Sequence, residues 1–198
     1  MIIWINGAFG SGKTTTAYEL NRRLPDSFVY DPENVGYFIR RNAPPAFSKG
    51  DFQNIPLWRE MNYKTISLIA SRYTGTLLIP MTLVDPEYYN EIIGKLEADG
   101  LDIRHFILYA SKQEILRRLR FRSSRLFGGD NFAVDSIDRC LNAFDNHITE
   151  VRIDTENMGV DDVVKDIAKR CGLVLQADKK TKFGRFIYRT GVLMRHIR

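Results

Sequence analysis

Apolar positions along the chain switch repeatedly between short continuous runs and faces spaced by three or four residues. Ile2-Ile3-Trp4-Ile5 is a run of the kind a strand buried on both faces requires. Ala17, Leu20 and Leu24 then recur at helical spacing. Phe28-Val29-Tyr30-Asp31 predicts a second strand, stopped by Pro32, and Glu33 to Arg41 a short helix broken by Ala43-Pro44-Pro45. A longer helix is expected from Pro56, with Trp58, Met61, Thr65, Leu68 and Ile69 on one face. Leu77-Leu78-Ile79-Pro80-Met81 predicts a third strand, Pro86 to Ala98 a helix, and Phe106-Ile107-Leu108-Tyr109 a fourth strand. Ser111-Lys112-Gln113-Glu114 has capping-box spacing and opens another helix. Ser136 to His147 reads as helix and Val151-Arg152-Ile153-Asp154 as a fifth strand. Val160, Val163, Val164, Ile167, Ala168 and Cys171 then form the cleanest amphipathic helical face in the chain. Strand alternating with helix predicts an α/β fold: a five-stranded parallel sheet with helices on both faces.

The first strand runs straight into Gly7-Ala8-Phe9-Gly10-Ser11-Gly12-Lys13-Thr14. This is G-x-x-x-x-G-K-T, the P-loop, and its context of strand before and helix after is the required one. The pattern assigns phosphate binding to the backbone around Gly7, Gly10, Ser11, Gly12 and Thr15. Lys13 is expected to reach the β- and γ-phosphates, and the Thr14 hydroxyl to ligate Mg²⁺. The helix dipole points at the same place. The expected class is a P-loop NTPase using ATP and Mg²⁺.

Composition narrows the remainder. The chain has 198 residues, 44% of them hydrophobic, which suits one domain with a sizeable core. Cys140 and Cys171 lack any C-x-x-C spacing, and the three histidines are not paired for metal. The N-terminus has no basic region ahead of its apolar run, so no signal peptide is expected, and no stretch is long enough to span a membrane. The net charge of +5 is uneven: residues 179–198 carry seven basic side chains and no acid, leaving −2 on residues 1–178. That split argues against a nucleic-acid-coating body. It divides the chain into a P-loop domain, 1–178, and a basic tail, 179–198. Within the tail, Phe183, Phe186, Ile187, Thr190, Leu193, Met194 and Ile197 share one helical arc, and Lys182, Arg185, Arg189 and His196 the opposite one. Such a helix suits the interface of an anionic membrane. Packing on the acidic body is the other outcome the pattern allows.

Asp31 ends the second strand, at the edge where open parallel sheets bind ligands. It is a candidate base for an attacking hydroxyl, or a holder of Mg²⁺ through water, a reading favoured by the P-loop at the same edge; the alternative is a turn aspartate before Pro32. Arg118, Arg122 and Arg125 fall on one helical face ahead of Phe127-Gly128-Gly129-Asp130-Asn131, which suggests an arginine lid over about residues 118–134. The alternative is a solvated basic helix. The third strand ends without a Walker B acid, and Asp85 lies four residues past Met81, which argues against a motor-type ATPase. Tyr37, Phe38, Trp58 and Met81 are candidates for an apolar acceptor pocket or for core. Thr155 is a candidate adenine neighbour after the fifth strand.

Together these residues resemble the small P-loop kinases of nucleotides, shikimate, gluconate and antibiotics. The resemblance is closer to the bacterial tunicamycin resistance proteins. It is carried by residues 1–14, Val29-Tyr30-Asp31-Pro32-Glu33, Asp51-Phe52-Gln53, Pro56-Leu57-Trp58-Arg59, Ile79-Pro80-Met81-Thr82 and Pro86-Glu87-Tyr88. The resemblance implies a nucleoside- or shikimate-kinase-like fold and an ATP-binding protein that protects a bacterium from a nucleoside antibiotic. It would be cytoplasmic, held at the inner face of the membrane. Phosphorylation of the drug, ATP-dependent sequestration of it, and a plain nucleoside or nucleotide kinase remain the alternatives.

Overall fold

The computed structural model describes the backbone of residues 1–44, 50–126 and 131–195, and all of their side chains except 121–126, 131, 132 and 195. Five parallel strands form one sheet in the order β2-β3-β1-β4-β5. They are β1 (Ile2–Gly7), β2 (Ser27–Val29), β3 (Thr76–Pro80), β4 (Ile103–Tyr109) and β5 (Val151–Asp154). β1 lies in the middle, with Ile2 beside Leu77 of β3 and beside Ile103 of β4. The chain leaves β1 first toward one edge and later toward the other. Ligands of such sheets sit where the strand order diverges, beyond the carboxyl ends.

Alternation along β1 sets the two layers. Ile3 and Ile5 face α1 (Lys13–Arg23) and the later helix spanning Val160–Arg170, in a cluster with Ala17, Leu20, Val164 and Ile167. Ile2 and Trp4 face the opposite layer, with Trp58, Ile66, Ile92 and Leu96. That layer holds α2 (Glu33–Arg41) and α3 (Pro56–Arg72). It also holds α4 (Pro86–Tyr89), which runs through a π-helical turn (Asn90–Gly94) into α5 (Lys95–Ala98). A third cluster, around Ile107, Ile115, Cys140 and Phe144, joins the sheet to α6 (Lys112–Leu126), α7 (Asn131–Asp135) and α8 (Ile137–Asn146). The helix at Val160–Arg170 is α9, and α10 spans Lys182–Arg195.

Three local expectations are corrected. The helix expected from Pro86 to Ala98 is interrupted by the π turn. In α3 the buried residues are Trp58, Arg59, Asn62 and Ile66, whereas Leu68 is 53% exposed. Two polar side chains belong to the inner face because each finds partners. Arg59 donates to the Gln53 carbonyl and pairs with Glu91 at 2.7 Å; Asn62 donates to the Trp58 carbonyl and accepts from the Tyr30 hydroxyl. Burial pushes that hydroxyl up to about 12, so it stays a donor. Third, the Ser111 hydroxyl accepts from the Glu114 N–H as a cap should, but the reciprocal carboxylate is that of Glu156, on Ser111's own N–H. Glu114 instead pairs with Arg117 and Arg118.

The tail helix packs on the body. Val192 is buried, and the Tyr188 hydroxyl donates to the Tyr18 carbonyl of α1. Arg189 donates to Glu19 (2.8 Å) and Asp161 (2.7 Å), and Arg185 to Asp178 (3.1 Å). Arg22 of α1 reaches Asp178 at 2.8 Å and also pairs with Glu19. Two arginines of the basic arc are therefore turned inward, and Phe183, Phe186, Ile187 and Met194 are left facing solvent. His196 and Ile197 lie outside the described residues.

The observed face of α3 differs from the periodic one in a way stability resolves. Ile66 is fully buried, so Ile66→Ala is expected to cost about 2–5 kcal/mol. Leu68→Ala is expected to stay within about 0.5 kcal/mol. Urea unfolding of the two variants reads the difference.

Candidate nucleotide site

The P-loop is built from conformations that side chains resist. Gly10 and Gly12 have φ of 84° and 99°. A Cβ on Gly10 would also lie 3.0 Å from Leu119 Cγ, so the loop backbone rests directly on α6. Gly12 is the N-cap of α1 and supplies no side-chain cap, and the first turn of α1 contains no acid. The α1 amides are thus left to an external anion. The Ser11 hydroxyl is buried with no hydrogen-bond partner. An orphaned donor beside uncapped helix amides fits the phosphates of a nucleotide. Lys13 Nζ donates to the Ala8 carbonyl at 3.1 Å and lies 5.4 Å from the Phe9 ring centre. Thr14 is half-buried and Thr15 buried on the same first turn, where the Thr14 hydroxyl is the one group of the motif suited to Mg²⁺.

The floor of the crevice hangs on Asn6, a fully buried amide in an otherwise apolar strand. Its oxygen accepts from the N–H groups of Gly7 (2.8 Å) and Leu83 (3.0 Å), and its nitrogen donates to the Leu83 carbonyl (2.7 Å). The Thr82 hydroxyl donates to the Gly7 carbonyl at 2.8 Å, and Gln53 Nε2 to the Thr82 carbonyl at 3.1 Å. The P-loop, the segment after β3 and the short 3₁₀ turn Phe52–Asn54 are thereby one hydrogen-bonded unit. Sequence reasoning counted Asn6, Thr82 and Gln53 among the residues that carry the resemblance but assigned them no role in the site. The available signal was a polar side chain inside a buried run.

Asp31 follows β2 at this same edge. One carboxylate oxygen accepts from the Glu33 N–H at 3.0 Å, which opens α2. Arg118 donates to the Thr155 hydroxyl (3.0 Å) and carbonyl, while Thr155 donates to the Tyr109 carbonyl. The structure thus brings Arg118 and Thr155 together, at the far side of the P-loop from Asp31. The Arg117 guanidinium, and after it that of Arg118, hold the Glu114 carboxyl down at about 2, so it stays ionised at neutral pH. Arg122 and Arg125 continue the α6 backbone, but their side chains, and residues 127–130 of the expected lid, lie outside the described residues.

The expected acceptor residues are scattered in depth. Trp58 is fully buried and donates from its indole N–H to the Pro32 carbonyl (3.1 Å); Met81 is buried in the same cluster. Neither meets solvent. Tyr37 packs edge-on against Phe52, with ring centres 6.4 Å apart. Phe38 is exposed. Asp85 accepts from the Glu87 and Tyr88 N–H groups as the cap of α4.

Uncapped amides, three strained glycines, a positioned lysine and a threonine on the first turn define a P-loop nucleotide-binding protein. Residues 2–145 match the family model described as an AAA domain. The tunicamycin resistance protein of Deinococcus radiodurans is 32% identical, with a TM-score of 0.73, over 89% of this chain and 99% of that one. The chain belongs to the family of tunicamycin resistance proteins, within the small P-loop kinase-like proteins. More distant structures share the fold. Shikimate kinase from Bacteroides thetaiotaomicron is 16% identical over 87% of this chain and 99% of that one, with TM-score 0.56. The APS kinase of Mycobacterium tuberculosis, solved with AMPPNP and APS, is 15% identical over 86% and 96%, with TM-score 0.55. No curated protein sequence matches the chain.

Lys13 and Asn6 act on different links of this site. Lys13→Ala removes a charge at a half-buried surface and should abolish ATP binding by calorimetry while changing the melting temperature little. Asn6→Ala leaves buried backbone groups of Gly7 and Leu83 unpaired, at about 1–3 kcal/mol for each. It should lower the melting temperature and nucleotide affinity together.

Proposed function

We propose that the protein is an ATP-dependent phosphotransferase acting on a hydroxyl of tunicamycin or a related nucleoside sugar. The observation that carries this reading is a carboxylate, Asp31, at the same sheet edge as the uncapped P-loop helix. A protein that only binds ATP has no need of a proton acceptor there. Bound Mg²⁺, on Thr14, would neutralise phosphate charge. Lys13 leaves its resting partner, the Ala8 carbonyl, to pair with the β- and γ-phosphates. Asp31 orients the acceptor hydroxyl and takes its proton as the oxygen attacks the γ-phosphorus, whose bond to the β,γ-bridging oxygen breaks so that ADP leaves. Arg118, tied to Thr155, borders the base end of the nucleotide, and Arg122 and Arg125 are assigned to the transferring charge by their helical phase alone. Tyr37 and Phe38 of α2 are assigned to the acceptor side, with Trp58 and Met81 as the buried layer beneath them.

A second reading, ATP-controlled sequestration of the drug, is favoured by one observation: Asp31 already caps α2, the ordinary work of a turn aspartate. Asp31→Asn separates the two. It keeps an oxygen for the Glu33 N–H but cannot take a proton. ATP affinity should be retained while phosphorylation of the drug, followed by mass analysis after incubation with labelled ATP and Mg²⁺, falls about 10²- to 10⁴-fold. Wild-type protein that adds no phosphoryl group to tunicamycin would leave sequestration as the function.

Both readings place the protein at a membrane surface, where a drug with an acyl chain would gather. No helix among the described residues is long and apolar enough to cross a membrane. The exposed Phe183, Ile187 and Met194 of α10 favour a helix lying in the interface of an anionic leaflet. Because Arg185 and Arg189 are engaged by the body, lipid contact falls to the apolar face and to Lys179, Lys180 and Lys182, which are exposed. Truncation after Asp178 should abolish co-sedimentation with anionic vesicles. The full chain should lose only part of its binding at high salt. Equal binding by both proteins would remove the membrane assignment.

A further inference from the structure

One cavity near the P-loop is made by residues that the nucleotide does not need. It has a volume of about 210 Å³ and opens between the 3₁₀ turn Phe52–Asn54, the segment after β3, and α8. Its polar lining includes Asp51, Gln53, Asp85, Arg139, Asn142 and His147. Val84, at its base, packs in the same apolar cluster as Ala8 of the P-loop.

Its position relative to the phosphates follows from bonds already described. Gln53 reaches the P-loop in two steps, through the Thr82 carbonyl and then the Thr82 hydroxyl on Gly7. Cys140, on the buried face of α8, adds a second line. Burial pushes its thiol up, and Lys13 and Arg139 act on it as nearby positive charges and Asp51 as a negative one. The back wall is rigid. Arg59 is buried, donates to the Gln53 carbonyl, and stacks 4.1 Å from the centre of the Tyr88 ring, another wall of the cavity.

The lining selects by charge. It holds two carboxylates, Asp51 and Asp85, one guanidinium, Arg139, and the His147 imidazole, so the acids outnumber the permanent cation. Carboxylates and carboxamide oxygens accept from hydroxyls, and carboxamide N–H groups donate to carbonyl oxygens, but a site in which carboxylates outnumber guanidinium groups disfavours a phosphate. Asp85 has both its N–H partners on α4. In Asp51 one oxygen caps the 3₁₀ turn through the Gln53 N–H (3.0 Å), and the other lies only 3.5 Å from Arg139. That second contact is long for a charge-assisted bond, and Arg139 is half exposed. The weak pairing leaves hydrogen-bonding capacity on both groups for a hydroxyl beside them.

We propose that this cavity is the acceptor-recognition site: it holds the uncharged, hydroxyl-rich part of the acceptor, with Asp51 excluding acceptors that already carry phosphate. The proposal rests on the reading of the chain as a phosphotransferase and deepens it, since a nucleoside monophosphate is thereby rejected as acceptor. Asp51 is a specificity residue, and Arg139 its partner across the cavity.

The test is calorimetry on the full chain with a non-hydrolysable ATP analogue present, using tunicamycin and uridine monophosphate as probes. Wild type should bind tunicamycin, and uridine monophosphate on the order of tenfold more weakly or worse. Asp51→Asn keeps the cap oxygen for Gln53, so the fold is retained. It should weaken tunicamycin on the order of tenfold, strengthen uridine monophosphate, and leave affinity for the ATP analogue unchanged within about twofold. Arg139→Ala should weaken both probes. Hydrogen exchange should show tunicamycin protecting amides in residues 51–54 and 137–146. Unchanged tunicamycin affinity in Asp51→Asn overturns the proposal. So does uridine monophosphate binding wild type as tightly as tunicamycin, protection elsewhere, or no tunicamycin binding by wild type. Phosphoryl transfer is read separately, by the mass of the drug. Binding and protection without transfer would remove the kinase reading and keep the site.

Discussion

The Asn6 carboxamide joins the end of β1 to the segment beyond β3 through three hydrogen bonds, in a place where no water reaches it. A parallel sheet ends ragged at its carboxyl edge, because each strand stops pairing at a different residue. The chain then has backbone groups to satisfy in the region where a ligand must also fit. One amide side chain, with a donor and a two-fold acceptor, closes that gap for both neighbouring strands at once. The phosphate loop is consequently anchored at its root, while its far end, the N-terminus of α1, is left chemically hungry. That division between a satisfied base and an unsatisfied tip gives the site both rigidity and affinity.

Electrostatics organise the opposite layer. Glu19 is almost wholly buried on α1, yet two guanidinium groups, from Arg22 and Arg189, converge on it. Asp161 and Asp178 complete the cluster with Arg185. Arg22 holds the Asp178 carboxyl below the usual carboxylate range. Three acids that would repel one another as a bare cluster are spaced by three arginines, two of them supplied by the tail. The tail is therefore part of the charge balance of the P-loop helix and is not an independent appendage.

Much of this was legible in the chain, for identifiable reasons. Strand and helix order followed from run length and period, because burial on two faces or one leaves different apolar patterns. The P-loop was legible because a phosphate cradle needs glycine at fixed places. Where the reading failed, the partner was distant in sequence. Arg59 and Asn62 look like the polar face of α3 until Glu91 and Tyr30 are brought beside them. Ser111 finds Glu156 in place of Glu114 because the end of β5 lies next to the start of α6. The tail offered two opposed faces, and only the position of Glu19, Asp161 and Asp178 decides which one turns inward. Asp51, Gln53 and Arg139 carry no periodic signature at all, since a cavity wall is assembled from separate segments.

Gly10 has a mechanical side. With no side chain at this position, Leu119 of α6 sits against bare loop backbone. Interlocked side chains act as gear teeth: they transmit a tilt of one element by forcing a matching turn in the other. A smooth contact acts as a bearing. A tilt of α6 about this point would therefore load the loop that grips the phosphates less than interlocked side chains would.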